Sequence, residues 1–500
     1  MNKDKIPFII LDESSIIPLY RQIYESIRQA ILNGELQPKT RLPATRLLAK
    51  QFGVARMTVI TAYEQLFAEG YLEGKTGSGT FVAAHLPEDF LYAERPKRRK
   101  KQTENVERTV KLSNFGKHLA ENSEMILRRY NTINVIPFRH GIPAIDEFPF
   151  DVWTKISNKQ AKSAHSKMFG YGNAAGFAPL REAIAAHLST SRGVNCTTEQ
   201  IIITNGTQQT LDLISSIFVS NKDEVCLEDP GYFGARDIFS AIGAKIVPIP
   251  IDAEGFDVQK AQKLSRKPRL IYVTPSHQYP LGITMSLARR MNLLEWARET
   301  ESFIIEDDYD SEYRYAGRPL ASLQGLDRNG RVIYIGTFSK TVFPALRLGF
   351  LVAPKDLIDV FATAKALRDW HSPQIDQAVL AEFIADGHFA KHLRKMRGIY
   401  EKRQQILVSE SKKHLAGMLE VAPSPIGMHL IGWLPEGVDA IPIFIEALLN
   451  HHLQLAPISA SCINQTLRGG LLLGYTAFDE IQIREGVKKM RDILSTMLKN

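Results

Sequence analysis

The most reactive group that this chain places in a defined position is a lysine amine. Gly336-Thr337-Phe338-Ser339-Lys340 follows the apolar run Val332-Ile333-Tyr334-Ile335, and Arg347 comes seven residues later. Such a run reads as a buried strand, so Lys340 emerges at its end, at the mouth of a sheet. Desolvation and the Arg347 charge would depress its pKa and leave an amine that attacks carbonyl carbon. Glu306-Asp307-Asp308-Tyr309 ends a second run, Phe303-Ile304-Ile305, and brings acids and a phenol to the same kind of place. Thr204-Asn205-Gly206-Thr207-Gln208-Gln209 lies between a third run, Ile201-Ile202-Ile203, and a helical stretch. Gly206 permits close backbone approach, while Thr207 and Gln208 present amides at a helix N-terminus, where an anion binds. The same residues would also serve as a plain helix N-cap. Glu228-Asp229-Pro230-Gly231-Tyr232 adds an aromatic face at Tyr232.

An imine-forming lysine, an acid for a ring nitrogen, donors for a phosphate and an aromatic cover are the demands of pyridoxal 5'-phosphate. On that reading Lys340 carries the imine, and Tyr309 meets the phenolic oxygen. Gly206, Thr207, Gln208, Thr337, Ser339 and Arg347 complete the cofactor site, with Tyr232 stacked on the ring. Spacing alone does not choose between Asp307 and Asp308 for the ring nitrogen. Taken singly, each feature has an ordinary reading: a surface lysine, an acidic loop capping a helix, an N-cap.

Elements that must hold these groups alternate along the chain. Glu224-Val225-Cys226-Leu227 and Leu270-Ile271-Tyr272-Val273 are two more strand candidates, and helices are predicted at 207–219 and 232–242. Strands spaced by helices predict an α/β domain with a mainly parallel sheet covered on both faces. It spans 126–500, with a large lobe over about 145–380 and a smaller α+β lobe over about 385–500.

The N-terminal 85 residues read differently. Leu19, Ile23, Ile27 and Ile31 mark a helix over 17–33; Leu47, Leu48 and Phe52 mark one over 44–52; Val59, Tyr63 and Leu66 mark a third over 56–69. A hairpin follows, with Gly74-Lys75-Thr76-Gly77-Ser78-Gly79 as its turn. Three helices and a glycine-tipped hairpin form a winged helix-turn-helix, whose third helix enters the major groove of double-stranded DNA. Arg56, Thr58 and Thr61 suit base edges or phosphates, and Arg46 and Lys75 suit phosphates. Residues 86–125 contain Arg95-Pro96-Lys97-Arg98-Arg99-Lys100-Lys101, whose like charges predict a flexible basic linker.

Residues 18–82 resemble the GntR-type winged helix, departing from its usual text at Ala55-Arg56-Met57-Thr58. Residues 135–480 resemble the fold type I aminotransferases, a resemblance that includes Tyr171-Gly172, Gly176 and Leu180-Arg181. The order of the two domains, together with Thr274-Pro275-Ser276-His277-Gln278-Tyr279-Pro280 and Glu306-Asp307-Asp308-Tyr309-Asp310-Ser311-Glu312-Tyr313-Arg314, resembles the MocR/GabR regulators. This implies a seven-stranded sheet, Asp307 as the ring-nitrogen acid, and a homodimer in which Tyr171 reaches the phosphate of the neighbouring subunit. It also implies regulation of transcription through an amine, amino acid or pyridoxal phosphate effector. Two positions depart from the enzymes. Tyr279 stands where they carry an asparagine, and Leu472 where they carry the arginine that clamps the substrate carboxylate. Arg468 is the candidate substitute, so Tyr279 and Arg468 are the effector-site candidates. Imine formation is expected, and full transamination is not. An active aminotransferase with an accessory DNA-binding head is the alternative, and a DNA-binding protein on a degenerate cofactor fold is a third reading.

Bulk properties agree. At 500 residues and 44% hydrophobic content the chain exceeds one core. Residues 1–120 hold 19 Lys+Arg against 13 Asp+Glu, so six of the eight net positive charges lie there, as an anionic partner requires. Cys196, Cys226 and Cys462 have no metal-ligand spacing, so neither metal nor disulfide is expected. Without an apolar run of membrane length or a signal-peptide cleavage site, a cytoplasmic location is the expectation.

Overall fold

A computed structural model describes residues 11–12, 15–75, 79–86, 111–130, 136–163, 168–317, 321–465 and 467–498. The chain divides into two units, Met1–Thr109 and Val110–Asn500.

In the first unit, α1 (Leu19–Leu32), α2 (Thr45–Phe52) and α3 (Arg56–Ala68) pack on the hairpin β1 (Leu72–Lys75) and β2 (Gly79–Val82). The period-four stripe on α1 buries Ile23, Ile27 and Ile31 against Leu48, Val59, Tyr63 and Leu66. Leu47 is exposed, contrary to the predicted stripe of α2; Leu48 and Ala49 face the core instead. Gly53 closes α2 with a left-handed φ of 68°, and that turn sets α3 across it. The strands take in Gly74, Lys75 and Gly79, which the sequence reads as turn; residues 76–78 lie outside the described residues.

Most of the predicted linker, including the Arg95–Lys101 run, also lies outside the described residues. Its last part is not linker: α4 (Asn114–Tyr130) belongs to the second unit.

The second unit is a mixed sheet with helices on both faces, followed by a smaller lobe. The sheet order is β3 (Ile201–Thr204), β10 (Gly349–Val352), β9 (Val332–Thr337), β8 (Phe303–Asp308), β7 (Leu270–Val273), β4 (Glu224–Asp229), β5 (Lys245–Asp252) and β6 (Gly255–Phe256). Five strands, β9 to β5 in that order, run parallel, and only β10 and β6 are antiparallel to their neighbours. The sheet thus has eight strands rather than seven, because β5 turns back at Glu254 into the two-residue β6 at the edge. Pro248 and Pro250 donate no hydrogen bond, which suits a strand near that edge. Helices α5 (Phe150–Ser163), α6 (Ala178–Arg192), α7 (Thr207–Phe218), α8 (Phe233–Ala241), α9 (Val258–Leu264), α10 (Leu287–Thr300), α11 (Leu323–Leu326) and α12 (Ile358–Asp369) belong to this lobe.

The smaller lobe has α13 (Gln374–Ala385), the long α14 (His388–His414), an antiparallel sheet in the order β11 (Glu420–Val421), β12 (His429–Trp433), β14 (Gly470–Gly474) and β13 (Ala456–Pro457), and helices α15 (Ala440–His451) and α16 (Glu480–Met497). Among the described residues, no helix is long and apolar enough to cross a membrane and no cluster could hold a metal ion.

Candidate cofactor and DNA-binding sites

Because β3, β4, β7, β8 and β9 share one direction, their carboxyl ends open on one edge of the sheet, where open α/β sheets bind ligands. Lys340 follows β9 and Asp307 lies near the end of β8, on neighbouring strands. The Lys340 Nζ donates to the Gly141 carbonyl at 2.6 Å. Its pKa is lowered, chiefly by desolvation; Asp310 and Asp307 oppose the shift, while Arg139 and Arg347 add to it.

Asp307 takes a hydrogen bond from the Tyr272 hydroxyl at 2.6 Å on Oδ2, and its buried Oδ1 has no partner among the described residues. Burial pushes its pKa up to about 7, against the Tyr272 bond. A cationic N–H opposite Oδ1 would satisfy both the orphan acceptor and the desolvated charge. Asp308 serves a different purpose. It pairs with buried Arg192 at 2.7 Å and accepts from the Tyr334 hydroxyl at 2.7 Å, which fixes the end of β8 from behind. The Oδ1 of Asp308 is likewise buried without a partner among the described residues, so it is the Arg192 ion pair of Asp308 that distinguishes the two acids.

At the end of β3, Gly206 caps α7 with φ of 91°. A Cβ there would come within 3.2 Å of the Arg347 Nη2, and a Cβ on Gly349 within 2.9 Å of the Gly206 Cα, so the cradle tolerates no side chain. Arg347 reaches the Asn205 carbonyl at 3.0 Å. The α7 N-terminal amides of Thr207 and Gln208 and this guanidinium make a cup that could hold a phosphate. Gln208 Nε2 also donates to the Tyr232 hydroxyl at 2.8 Å, tying the cup to the aromatic wall. Thr337 Oγ1 accepts from the Ser339 amide at 3.1 Å and shapes the turn that delivers Lys340.

Tyr309, Tyr279 and Tyr232 line the remaining wall, with edge-on ring contacts at 6.0 and 6.2 Å. Behind Tyr309 stands a pair absent from the sequence prediction. His277 Nδ1 lies 3.0 Å from both Asp310 carboxylate oxygens and 2.9 Å from the Tyr309 hydroxyl. An ionised carboxylate only accepts, so Nδ1 carries its proton for Asp310 and offers the Tyr309 hydroxyl no lone pair. The Tyr309 proton then stays available to a ligand oxygen. Tyr279 bonds His140 Nε2 at 3.0 Å. Asp229, which the sequence shows only as part of a loop, accepts from the amides of Ile463, Asn464 and Gln465 at 2.7, 2.7 and 2.8 Å. It pins a small-lobe segment across the end of β4.

Two predicted residues stand elsewhere. Arg468 lies just before β14, bonded to the Leu434 carbonyl and to Glu420 at 3.1 Å, half-exposed on the small lobe. Gly474, at the far end of β14, is the part of that strand that meets the site-lining segment through Arg139 and His140. Arg468 thus directs its guanidinium to the Leu434 carbonyl and Glu420 in this arrangement. Tyr171 is 85% exposed and packs on Trp370 with ring centroids 5.2 Å apart.

In the first unit, Arg56 and Thr61 lie exposed on α3, and Thr58 is half-buried. Thr61 spends its hydroxyl proton on the Met57 carbonyl at 3.0 Å and keeps only acceptor capacity. Arg46 is exposed on α2, and Lys75 ends β1. Arg41, exposed and beside Gly79 of the wing, is a further cation that the sequence reading missed. Met57, 63% exposed next to Arg56, offers an apolar contact of the kind a thymine methyl takes.

Two family descriptions match: "Bacterial regulatory proteins, gntR family" over residues 19–82 and "Aminotransferase class I and II" over residues 133–469. The chain is 40% identical to the probable rhizopine catabolism regulatory protein MocR of Rhizobium meliloti over 484 residues, covering 97% of this chain and 95% of that one. It is 37% identical to the HTH-type transcriptional regulator YdeL of Bacillus subtilis (strain 168), covering 98% and 99%. The crystal structure of LysN, the α-aminoadipate aminotransferase of Thermus thermophilus complexed with N-(5'-phosphopyridoxyl)-L-leucine, superposes with a TM-score of 0.70 at 28% identity, covering 78% of this chain and all of that one. Fold and neighbours together imply pyridoxal phosphate as the cofactor. The chain belongs to the MocR-type HTH transcriptional regulators, in which a GntR-family DNA-binding domain precedes an aminotransferase class I and II domain.

Proposed function

We propose that this regulator senses a primary amine, an amino acid or pyridoxal phosphate itself through the Lys340 pocket, and that occupancy changes how its DNA-binding units are presented. One observation carries the reading. A desolvated amine, an orphaned buried carboxylate oxygen and a glycine cradle converge on one sheet edge, in a chain that also has a winged helix. Pyridoxal phosphate, when bound, supplies an aldehyde for amines and an electron-withdrawing ring. Lys340 is the residue for that aldehyde, Asp307 holds the ring nitrogen's proton, and Tyr309 directs its hydroxyl proton at the phenolic oxygen. Gly206, Thr207, Gln208, Thr337, Ser339 and Arg347 take the phosphate end, and Tyr232 covers the ring.

A homodimer completes the reading. In that dimer Tyr171, exposed on its own chain, takes the phosphate end of the second subunit's cofactor. Two DNA-binding units would then favour paired half-sites in double-stranded DNA. An effector shifts the balance only by its differential affinity for the two arrangements.

The test titrates the purified full-length chain with pyridoxal phosphate and then with an amine panel, following absorbance, melting temperature and operator binding. Lys340→Ala is expected to lose the imine absorbance and the amine-dependent change in DNA binding. A Lys340→Ala protein with both responses intact refutes the assignment. Steady release of keto acid from amino acids would favour an aminotransferase with an accessory head.

A further inference from the structure

Beside the glycine turn that opens α7 stands a carboxylate absent from the sequence prediction. Asp369 is the last residue of α12. Its Oδ2 accepts from the Asn205 Nδ2 at 2.6 Å and from the Gln209 Nε2 at 2.7 Å. Its Oδ1 accepts from the ammonium of Lys365, one helical turn earlier. The Lys365 side chain is fully buried, so Asp369 compensates a charge that water does not reach. Arg368 pairs with Asp212 of α7 at 3.2 Å, so α12 grips the start of α7 at two successive positions.

Asn205 and Gln209 flank Gly206, Thr207 and Gln208. The Asn205 amide donates to the Gln209 Oε1 at 2.8 Å, and its carbonyl accepts from the Arg347 Nη2 at 3.0 Å. Backbone and side chain of Asn205 are thus all held from outside the turn. They need to be. Gly206 has φ of 91° and ψ of 176°, a region that is essentially glycine's alone, and a glycine has little local preference to keep it there. No side chain caps α7, so the aim of its first amides depends on how the 205–206 peptide is set.

The chain beyond Asp369 is also constrained. Trp370 has φ of 63° and ψ of −70°, and the His371 amide donates to the Asp369 carbonyl at 2.8 Å. That is a one-residue γ-turn of the rare, strained form. Strain persists where the surroundings over-determine it. Here the Trp370 ring packs on Tyr171, and the Gln377 Nε2 holds the Ser372 carbonyl at 2.8 Å. The turn ends α12 at the residue whose carboxylate meets Asn205 and Gln209.

We propose that Asp369 is a positioning residue for the phosphate end of the cofactor: it holds Asn205 and Gln209 so that the turn between them keeps the shape of an anion cup. The inference rests on the cofactor site proposed above. Lys365 matches the Asp369 charge, so the carboxylate contributes geometry to the cup rather than field. Without it the glycine turn samples more conformations, and phosphate binding has to order them.

The test compares pyridoxal phosphate with 5-deoxypyridoxal, the same aldehyde and ring without the phosphate, on the full-length chain. Imine absorbance gives the affinity for each, with Lys340→Ala as the blank, and the rise in melting temperature gives an independent value. Asp369→Ala should weaken pyridoxal phosphate about 10-fold, the scale of one hydrogen bond to a charged group, and leave 5-deoxypyridoxal within about twofold. Asp369→Asn, which keeps one acceptor oxygen, should fall between wild type and Asp369→Ala. Equal losses for both aldehydes, a loss confined to 5-deoxypyridoxal, or unchanged affinity for pyridoxal phosphate overturns the proposal. Asp369→Ala also leaves Lys365 buried without its acid. If that variant does not fold, Asn205→Ala decides, because it keeps the Lys365–Asp369 pair and removes one of the two held side chains. A loss selective for the phosphorylated aldehyde is expected there too, and its absence overturns the proposal. Failure of the cofactor-site reading looks different: the wild type would form no Lys340-dependent imine with either aldehyde.

Discussion

Replacing Asp307 by Asn isolates the central electrostatic feature of the pocket. Its carboxyl moves from an ordinary 3.8 to about 7 through burial. The folded chain without cofactor then binds a proton that the unfolded chain has released, so stability falls as pH rises from about 4 through about 7. Worked over pH 5 to 8, that single group removes about 2–3 kcal/mol, an upper bound for a pocket that water can enter. Unfolding a domain of roughly 390 residues carries an entropy of about 0.8 kcal/mol/K, so the loss corresponds to about 3 °C in melting temperature. Asp307→Asn should abolish this share of the pH slope. Glu228 should leave a residual slope of the same sign, because burial raises its pKa to about 7 as well. In the wild type, pyridoxal phosphate should flatten the slope, because a protonated ring nitrogen at Oδ1 stabilises the charged carboxylate. In Asp307→Asn the cofactor should bind at least about 10-fold more weakly, the loss of one charge-assisted bond. Melting curves at pH 5 to 8, with and without pyridoxal phosphate, provide the readout. Identical slopes in wild type and variant, together with unchanged cofactor affinity, would refute the assignment of Asp307.

Other expectations follow from individual contacts. Asp229→Asn replaces an acceptor of three amides by a group with one oxygen and two donors; about 2–3 kcal/mol of stability should be lost, and proteolysis within 458–468 should accelerate. Unchanged cleavage would show that this clasp does not hold the lobes. Arg56→Ala should weaken DNA binding and, if Arg56 meets a phosphate, lower the slope of log affinity against log salt by about 0.9. A slope unaltered at reduced affinity would move Arg56 to a base edge.

The parts of the site that were legible in the sequence are those in which one residue type at one spacing has a single physical use. A lysine after a buried strand, acids after another and a glycine opening a helix announce themselves, because each breaks an apolar pattern at the end of a strand. The helices of the DNA-binding unit were legible for a related reason: Ile23, Ile27 and Ile31 repeat along one face of a helix, in a stretch whose length exceeds an ordinary strand. Groups that act through tertiary approach left no such mark. Tyr272 sits inside an apolar run and reads as core, although a buried phenol must find an acceptor, and that requirement is the overlooked clue to Asp307. His277 and Asp310 are 33 residues apart and meet only because β7 and β8 are adjacent and parallel. Arg468 is near Leu472 along the chain, but proximity along the chain is not proximity in space; a strand of five residues carries the chain about 17 Å, and at its far end Gly474 meets the backbone of Arg139 and His140. The same geometry couples the imine-forming lysine to the small lobe. Lys340 is bonded to Gly141, Phe138 three residues earlier is bonded to Gly474 of β14, and Asp229 is bonded to 463–465. A ligand that displaces the Lys340 nitrogen from the Gly141 carbonyl therefore acts on a segment bonded to both lobes, which is a physical requirement for a pocket whose occupancy is to be felt beyond it.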